Sequence, residues 1–159
     1  SAMLPTPEQA VDSSMAIQTN ANKSNNSSAQ AVNSRITASL VSVDANGQEV
    51  LVPVDTNTRL QSGNVLEYQG YFTNTNADRV RKMTVTMSIP EQVELLKTVA
   101  PEFPYGSVDG NNFARMPLRT KVDNQLQDVA LKYYKAVRWD LEGVGLNDTV
   151  AVKYRARVK

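Results

Sequence analysis

The chain contains no cysteine and no histidine. Their absence excludes thiol nucleophiles, thiolate and imidazole metal sites, disulfides and any Ser-His-Asp triad. Missing cysteine fits a periplasmic or bacterial surface protein that avoids wrong disulfides, but it fits many cytosolic proteins equally. Charge of one sign is also lacking: 17 Lys/Arg against 16 Asp/Glu leave a net +1, so no whole-chain attraction to a polyanion follows. No apolar run approaches the roughly 20 residues needed to cross a bilayer. No signal-peptide apolar region is read either. The opening Ser1-Ala2-Met3 reads as a tag-cleavage scar, leaving room for a native leader cut away upstream.

What is present is an ordinary globular composition, 41 % apolar and 21 % charged over 159 residues. That is enough for one domain with a core. The charge is uneven along the chain: residues 1–110 carry 7 Lys/Arg and 11 Asp/Glu, whereas 111–159 carry 10 and 5. From Thr19 to Ser34, nine of sixteen residues are Asn or Ser, a composition that buries almost nothing. Residues 1–33 are therefore read as a flexible, disordered N-terminal extension and 34–159 as the folded domain. Within the extension, Thr6, Pro7 and Gln9 form a helix-start pattern, which predicts a short helix within 7–18. A strand through Val11, Met15 and Ile17 is the alternative.

Beyond residue 34 the apolar period becomes two. Ile36, Ala38 and Leu40 alternate, the Asn46-Gly47 pair marks a hairpin turn, and QEVLVPV returns with Pro53 marking an edge or a bulge. Leu66, Tyr68, Gly70 and Phe72 share one face of the next strand. KMTVTMSIP is the cleanest strand, with Met83, Val85, Met87 and Ile89 on one face. Strands are expected again at QVELLKTVA, FARMPLRTKV (interrupted at Pro117), AVRWDL and DTVAVKYRARV, with one helical turn near NQLQDVALKYY. Asp109-Gly110 marks a second turn. About seven to nine short strands at roughly ten-residue spacing, with no long amphipathic helix, predict an all-β antiparallel sandwich.

The stretch SGNVLEYQGYFTNTNADRVRKMTVTMSIPEQVELL resembles the opening of the bacterial conserved repeat domain, also called domain of unknown function 11. The turn is Ser62-Gly63-Asn64, Tyr68 holds the tyrosine position, Thr73-Asn74-Thr75-Asn76 stands for the usual TNTG, and Ile89-Pro90 for the terminal pair. SVDG at Ser107–Gly110 and YKAVRWDL also resemble members of that family. Asn64 and Asn76 depart from the usual Asp and Gly, though both suit turns. The resemblance implies an immunoglobulin-like β-sandwich in an exported bacterial protein, acting as a spacer or interaction module in the periplasm, at the outer membrane surface or outside the cell. It carries no catalytic set.

Candidate chemistry is sparse. Asp44, Asn46 and Glu49 offer oxygen ligands as calcium loops do, but the full pattern is absent and a hairpin turn accounts for DANG. Asp109 reads the same way. Glu91 and Glu94, three residues apart, are weighed as a paired-acid site and lack an aromatic sugar platform. Lys82 and Lys153 point outward, away from any internal crosslink. No catalytic, cofactor-binding or metal residue is assigned, and no cofactor. On the last strand, Val152, Tyr154, Ala156 and Val158 form an inner face, and Lys153, Arg155, Arg157 and Lys159 form a basic stripe. The stripe suits a glycan, an anionic surface or an acidic protein; protection of an exposed edge strand explains it as well. No stacking aromatics interleave with these cations, so nucleic acid is not expected. Tyr68 and Trp139 are taken as core markers, with Val137, Trp139 and Leu141 on one face and Ala136, Arg138 and Asp140 on the other. The expected function is a non-enzymatic structural or adhesive module with protein partners in a surface assembly. The alternatives are a pilus-type subunit whose N-terminal segment pairs with a neighbour's sheet, or a carbohydrate-binding domain.

Overall fold

Alternating apolar residues separated by turns leave two-sided ribbons that must bury one face. A computed structural model shows how they do so, and it describes residues 4–15, 32–75 and 80–159. The expectations for the Asn/Ser-rich linker, Ile17 and Asn76 lie outside the described residues.

The chain is all-β. Its strands are β1 (Gln9–Met15), β2 (Val32–Val43), β3 (Glu49–Pro53), β4 (Val65–Asn74), β5 (Val80–Ser88) and β6 (Val93–Ala100). They continue with β7 (Tyr105–Ser107), β8 (Ala114–Arg115), β9 (Arg119–Val122), β10 (Gln125–Asp128), β11 (Ala136–Val144) and β12 (Thr149–Val158), with one 3-10 turn at Leu131–Tyr133. Two five-stranded antiparallel sheets, ordered β1-β5-β11-β7-β8 and β3-β2-β4-β12-β6, form a sandwich, and β9 and β10 form a separate ribbon. Among the described residues no helix is long and apolar enough to cross a membrane.

The period-two faces meet between the sheets. Met83, Val85 and Met87 of β5 and Val137 and Trp139 of β11 are buried from one side. Leu66, Tyr68 and Phe72 of β4 and Val152, Tyr154 and Ala156 of β12 are buried from the other. Gly70 lets the sheets approach: a Cβ there would lie 3.1 Å from the Met87 sulfur and 2.9 Å from the Phe72 ring. Burying one Leu or Val side chain contributes about 1.5–3 kcal/mol.

Three expectations are corrected. The segment expected to be a short helix is the edge strand β1, paired in register with β5 from Gln9 against Met87. Leu4 packs on the core, Pro5 and Pro7 are buried, and the Ser88 N–H donates to the Glu8 carbonyl at 2.8 Å. Residues 4–15 thus reach the sandwich and pair with it. A capping pattern contributes about 1 kcal/mol, and an isolated helix that short is marginal in water, so pairing with a free sheet edge wins. Second, the folded domain resumes at Val32, two residues before the expected start. Third, the described strands number twelve rather than seven to nine. The β9–β10 ribbon was hidden because its turn is Asp123-Asn124, both at positive φ (52° and 66°), without the glycine that usually marks such a turn.

Candidate functional site

β12 does not lie at an edge. It sits between β4 and β6, paired on both sides, so edge protection does not account for the basic stripe. Val152, Tyr154, Ala156 and Val158 face inward as expected, all buried. On the outer face the neighbouring strands bring acids to the cations. Arg155 Nε donates to Glu67 at 2.9 Å, and Arg155 Nη1 donates to Glu49 at 2.9 Å. Arg157 stands across from Glu94, and Lys153 across from Gln69. Lys159 is fixed through its backbone N–H, which donates to the Gln92 carbonyl. The stripe is therefore part of a mixed-charge face, in which the basic segment 111–159 meshes with the acidic segment 1–110.

The Arg155 cluster is the strongest electrostatic feature. Glu67 is almost wholly buried. Burial alone would raise its pKa, but hydrogen bonds from Gln69 and Arg155 outweigh that and hold it below its ordinary value. Glu49 is lowered chiefly by its hydrogen bond from Arg155, and Arg155 is raised chiefly by the same bond. The contact ties the β2–β3 hairpin to the centre of its own sheet.

The two aromatic markers are core residues with anchored polar ends. The Tyr68 and Tyr154 rings meet at a 43° tilt with centroids 5.2 Å apart, and burial raises the pKa of both hydroxyls. Tyr68 Oη donates to the Pro5 carbonyl at 2.8 Å, which fastens the N-terminal segment. Tyr154 Oη donates to the Ser88 carbonyl of the opposite sheet at 2.7 Å. Trp139 is 3 % exposed, and its indole N–H donates to the Pro101 carbonyl at 2.9 Å, just beyond β6. Arg138 and Asp140 lie on the other face. The Arg138 guanidinium covers the Phe113 ring at 3.8 Å, and Asp140 accepts from Thr84 and pairs with Lys82.

The acids considered as ligands have structural partners. Asp44 accepts the N–H groups of Asn46 and Gln48 in the first hairpin turn. Asp109 accepts the N–H groups of Asn111 and Asn112 and the Asn112 side-chain amide. Those bonds, led by Asn112, hold its pKa far below the usual carboxylate range. Glu91 is exposed beside Pro90, while Glu94 is on β6. Among the described residues, every buried side-chain nitrogen and oxygen has a hydrogen-bond partner.

Some large apolar side chains are also left uncovered. Val99, Phe103, Met116, Val129 and Leu131 line an open groove of about 740 Å³ that Lys97, Glu102 and Asp128 also border. Phe103 is 62 % exposed at φ 57°, and its carbonyl accepts Arg115 Nη1. A left-handed aromatic residue is sterically costly, and no period or motif marks it in the sequence. The second bare region is β3, whose five residues are all exposed. The alternation of QEVLVPV was legible as a strand; that neither face is covered was not. Comparison with family models, curated proteins and solved structures finds no match to this chain.

Proposed function

We propose that this domain is a non-enzymatic structural or adhesive module of an exported bacterial envelope or surface protein, working through protein–protein contacts. One observation carries the reading: among the described residues the buried polar groups are engaged within the fold, while apolar side chains stand bare on β3 and at the groove. Exposed apolar patches are a mark of interaction surfaces. The family resemblance of Ser62–Leu96 and of YKAVRWDL supports export. Protease shaving of intact source cells tests it. Peptides from exposed segments such as Glu49–Asn57 should appear in the released fraction; recovery only from lysed cells would refute a surface location.

A pilus-type arrangement is a second reading, favoured by β1. This edge strand fills the outer position of its sheet beside β5 and is separated from β2 in sequence by residues 16–31. The same pairing made between chains would be donor-strand exchange. Deleting residues 1–32 should then abolish assembly; unchanged stability and assembly would eliminate this reading.

A further inference from the structure

β3 ends its sheet, with β2 as its neighbour among the described residues. Its pairing fixes which way its peptide groups point. Val54 N–H donates to the Ala38 carbonyl at 3.1 Å, and Asp44 N–H to the Gln48 carbonyl at 2.8 Å. The register between runs from Ser39 against Pro53 to Val43 against Glu49. Hydrogen-bonded and non-hydrogen-bonded pairs alternate along an antiparallel ladder. Val50 and Val52 therefore turn their peptide groups toward β2, and Glu49, Leu51 and Pro53 turn theirs outward. Pro53, which has no N–H, removes nothing from its own hairpin at that position. Between the end residues lies an uncharged apolar strip, Val50, Leu51 and Val52 at 40, 42 and 44 % exposure, with Val43 at 67 % beside it on β2.

We infer that β3 pairs antiparallel with β3 of a second copy about a two-fold axis at Leu51, which joins two five-stranded sheets into one. The edge is self-complementary in this register. Leu51 and its copy face each other as a hydrogen-bonded pair and exchange both bonds. Glu49 faces Pro53, and the Glu49 N–H meets the Pro53 carbonyl. The donor that proline lacks is missing only at the ends of the ladder, where the Glu49 carbonyl stays in water. The side chains agree: Leu51 lies against Leu51, and Val50 opposite Val52. Slipping the ladder so that Leu51 faces Glu49 sets an apolar side chain against an acid. Charge agrees too, because each Glu49 carboxylate is already held by Arg155 of its own chain, so the two-fold does not bring unpaired acids together. Such an isologous contact is the commonest way that identical chains associate. The strand is only five residues long, a short ladder beside the roughly 1,200 Å² that stable interfaces bury, so the pairing is reversible and concentration-dependent. It does not depend on where the protein resides.

The absence of cysteine makes the test direct. Opposed residues in a hydrogen-bonded pair have Cα atoms about 5.5 Å apart, inside the disulfide range of about 4.4–6.8 Å. Under mild oxidation the full chain carrying Leu51→Cys should form a covalent dimer about tenfold faster than Val43→Cys, which is exposed but off the two-fold, because pairing raises the effective concentration. In sedimentation, the unmodified chain should show dimer at high concentration. Leu51→Lys and Leu51→Glu should each be monomeric, and mixing the two should restore the dimer. Circular dichroism confirms that each variant is folded; if a charge variant is not, the cysteine pair decides. Equal crosslinking rates, a wild-type monomer at every concentration, a dimer surviving in both charge variants, or a Leu51→Cys thiol shielded from reagents by residues of its own chain would each overturn the pairing.

Discussion

The sheet that carries β12 ends in two very different edges. β6 is guarded. Val93 and Leu95 are buried, while Glu94 and Lys97 place charge along the strand. Its register against β12 slips between Tyr154 and Ala156, because the step from Leu95 to Val99 spans the step from Ala156 to Tyr154. Its exit is pinned by the Trp139 indole at Pro101. Charges, bulges and covered ends are how soluble sheets avoid joining one another. β3 has a proline and a glutamate only at its ends, and the glutamate is drawn back to Arg155. One edge is closed by side chains from across the fold; the other is held in place and left open. Changes at the closed parts should therefore register as stability, and changes at the open edge as association.

Trp139→Ala should be the largest effect. It removes a nearly fully buried ring and leaves the Pro101 carbonyl without its donor, at a cost of about 3–5 kcal/mol. Denaturant unfolding measures it, and a loss under about 1 kcal/mol would mean that the ring does not close the β6 end. Arg155→Met should follow, at about 1.5–3 kcal/mol for hydrogen bonds to charged groups, because Glu67 would remain buried without its cation. A double change, Arg155→Met with Glu67→Leu, should recover much of that loss, since the orphaned charge is gone. A sum of the two single losses would show that the groups act separately.

The same cluster sets a pH dependence. Glu67 is held below its ordinary value of 4.5 in the folded state. A depressed carboxyl contributes stability that is fully present above its unfolded value and is lost as pH falls through the folded one. Stability should therefore be flat above about pH 5 as far as this group is concerned and should fall below pH 4.5. Arg155→Met should flatten the acid limb. An unchanged limb would assign the slope to other acids, Asp109 foremost. Tyr68→Phe is smaller again, about 1–3 kcal/mol, the cost of leaving the buried Pro5 carbonyl unpaired. Its distinctive readout is faster amide exchange along β1, where Tyr68 fastens the approach to the strand. Uniform slowing or no change at β1 would separate the bond from the strand.

How much of this was legible in the sequence follows one physical line. Period-two burial is a local property of a strand, so the β5 face Met83, Val85, Met87, the β4 face Leu66, Tyr68, Phe72 and the core place of Trp139 could all be read directly. Pro53 was legible as an edge or a bulge, because its missing N–H leaves few other places. Strand neighbours are not local. Nothing in KYRARVK says that Glu49 and Glu67 will arrive beside Arg155, or that β12 will be paired on both sides. The N-terminal strand was misread for the same reason: Thr6, Pro7 and Gln9 state a helix preference, and the free edge of β5 that overrides it lies more than sixty residues on. Surface exposure of β3 likewise depends on what fails to pack over it.

The smallest expected effect on stability is the sharpest test of the two edges. Leu51→Lys alters a half-exposed side chain whose peptide group points away from its own hairpin. It breaks no intrachain bond and opens no cavity. A surface change of that kind stays within about 0.5 kcal/mol. The matching change on β6, Leu95→Lys, buries a cation among Val93, Tyr154 and Ala156 and should prevent folding. Leu51→Lys should leave the melting of dilute protein untouched while removing its dependence on protein concentration, since only a species that binds the folded state shifts apparent stability by mass action. A destabilised dilute monomer would show that Leu51 packs within its own chain, and the contrast between the edges would vanish.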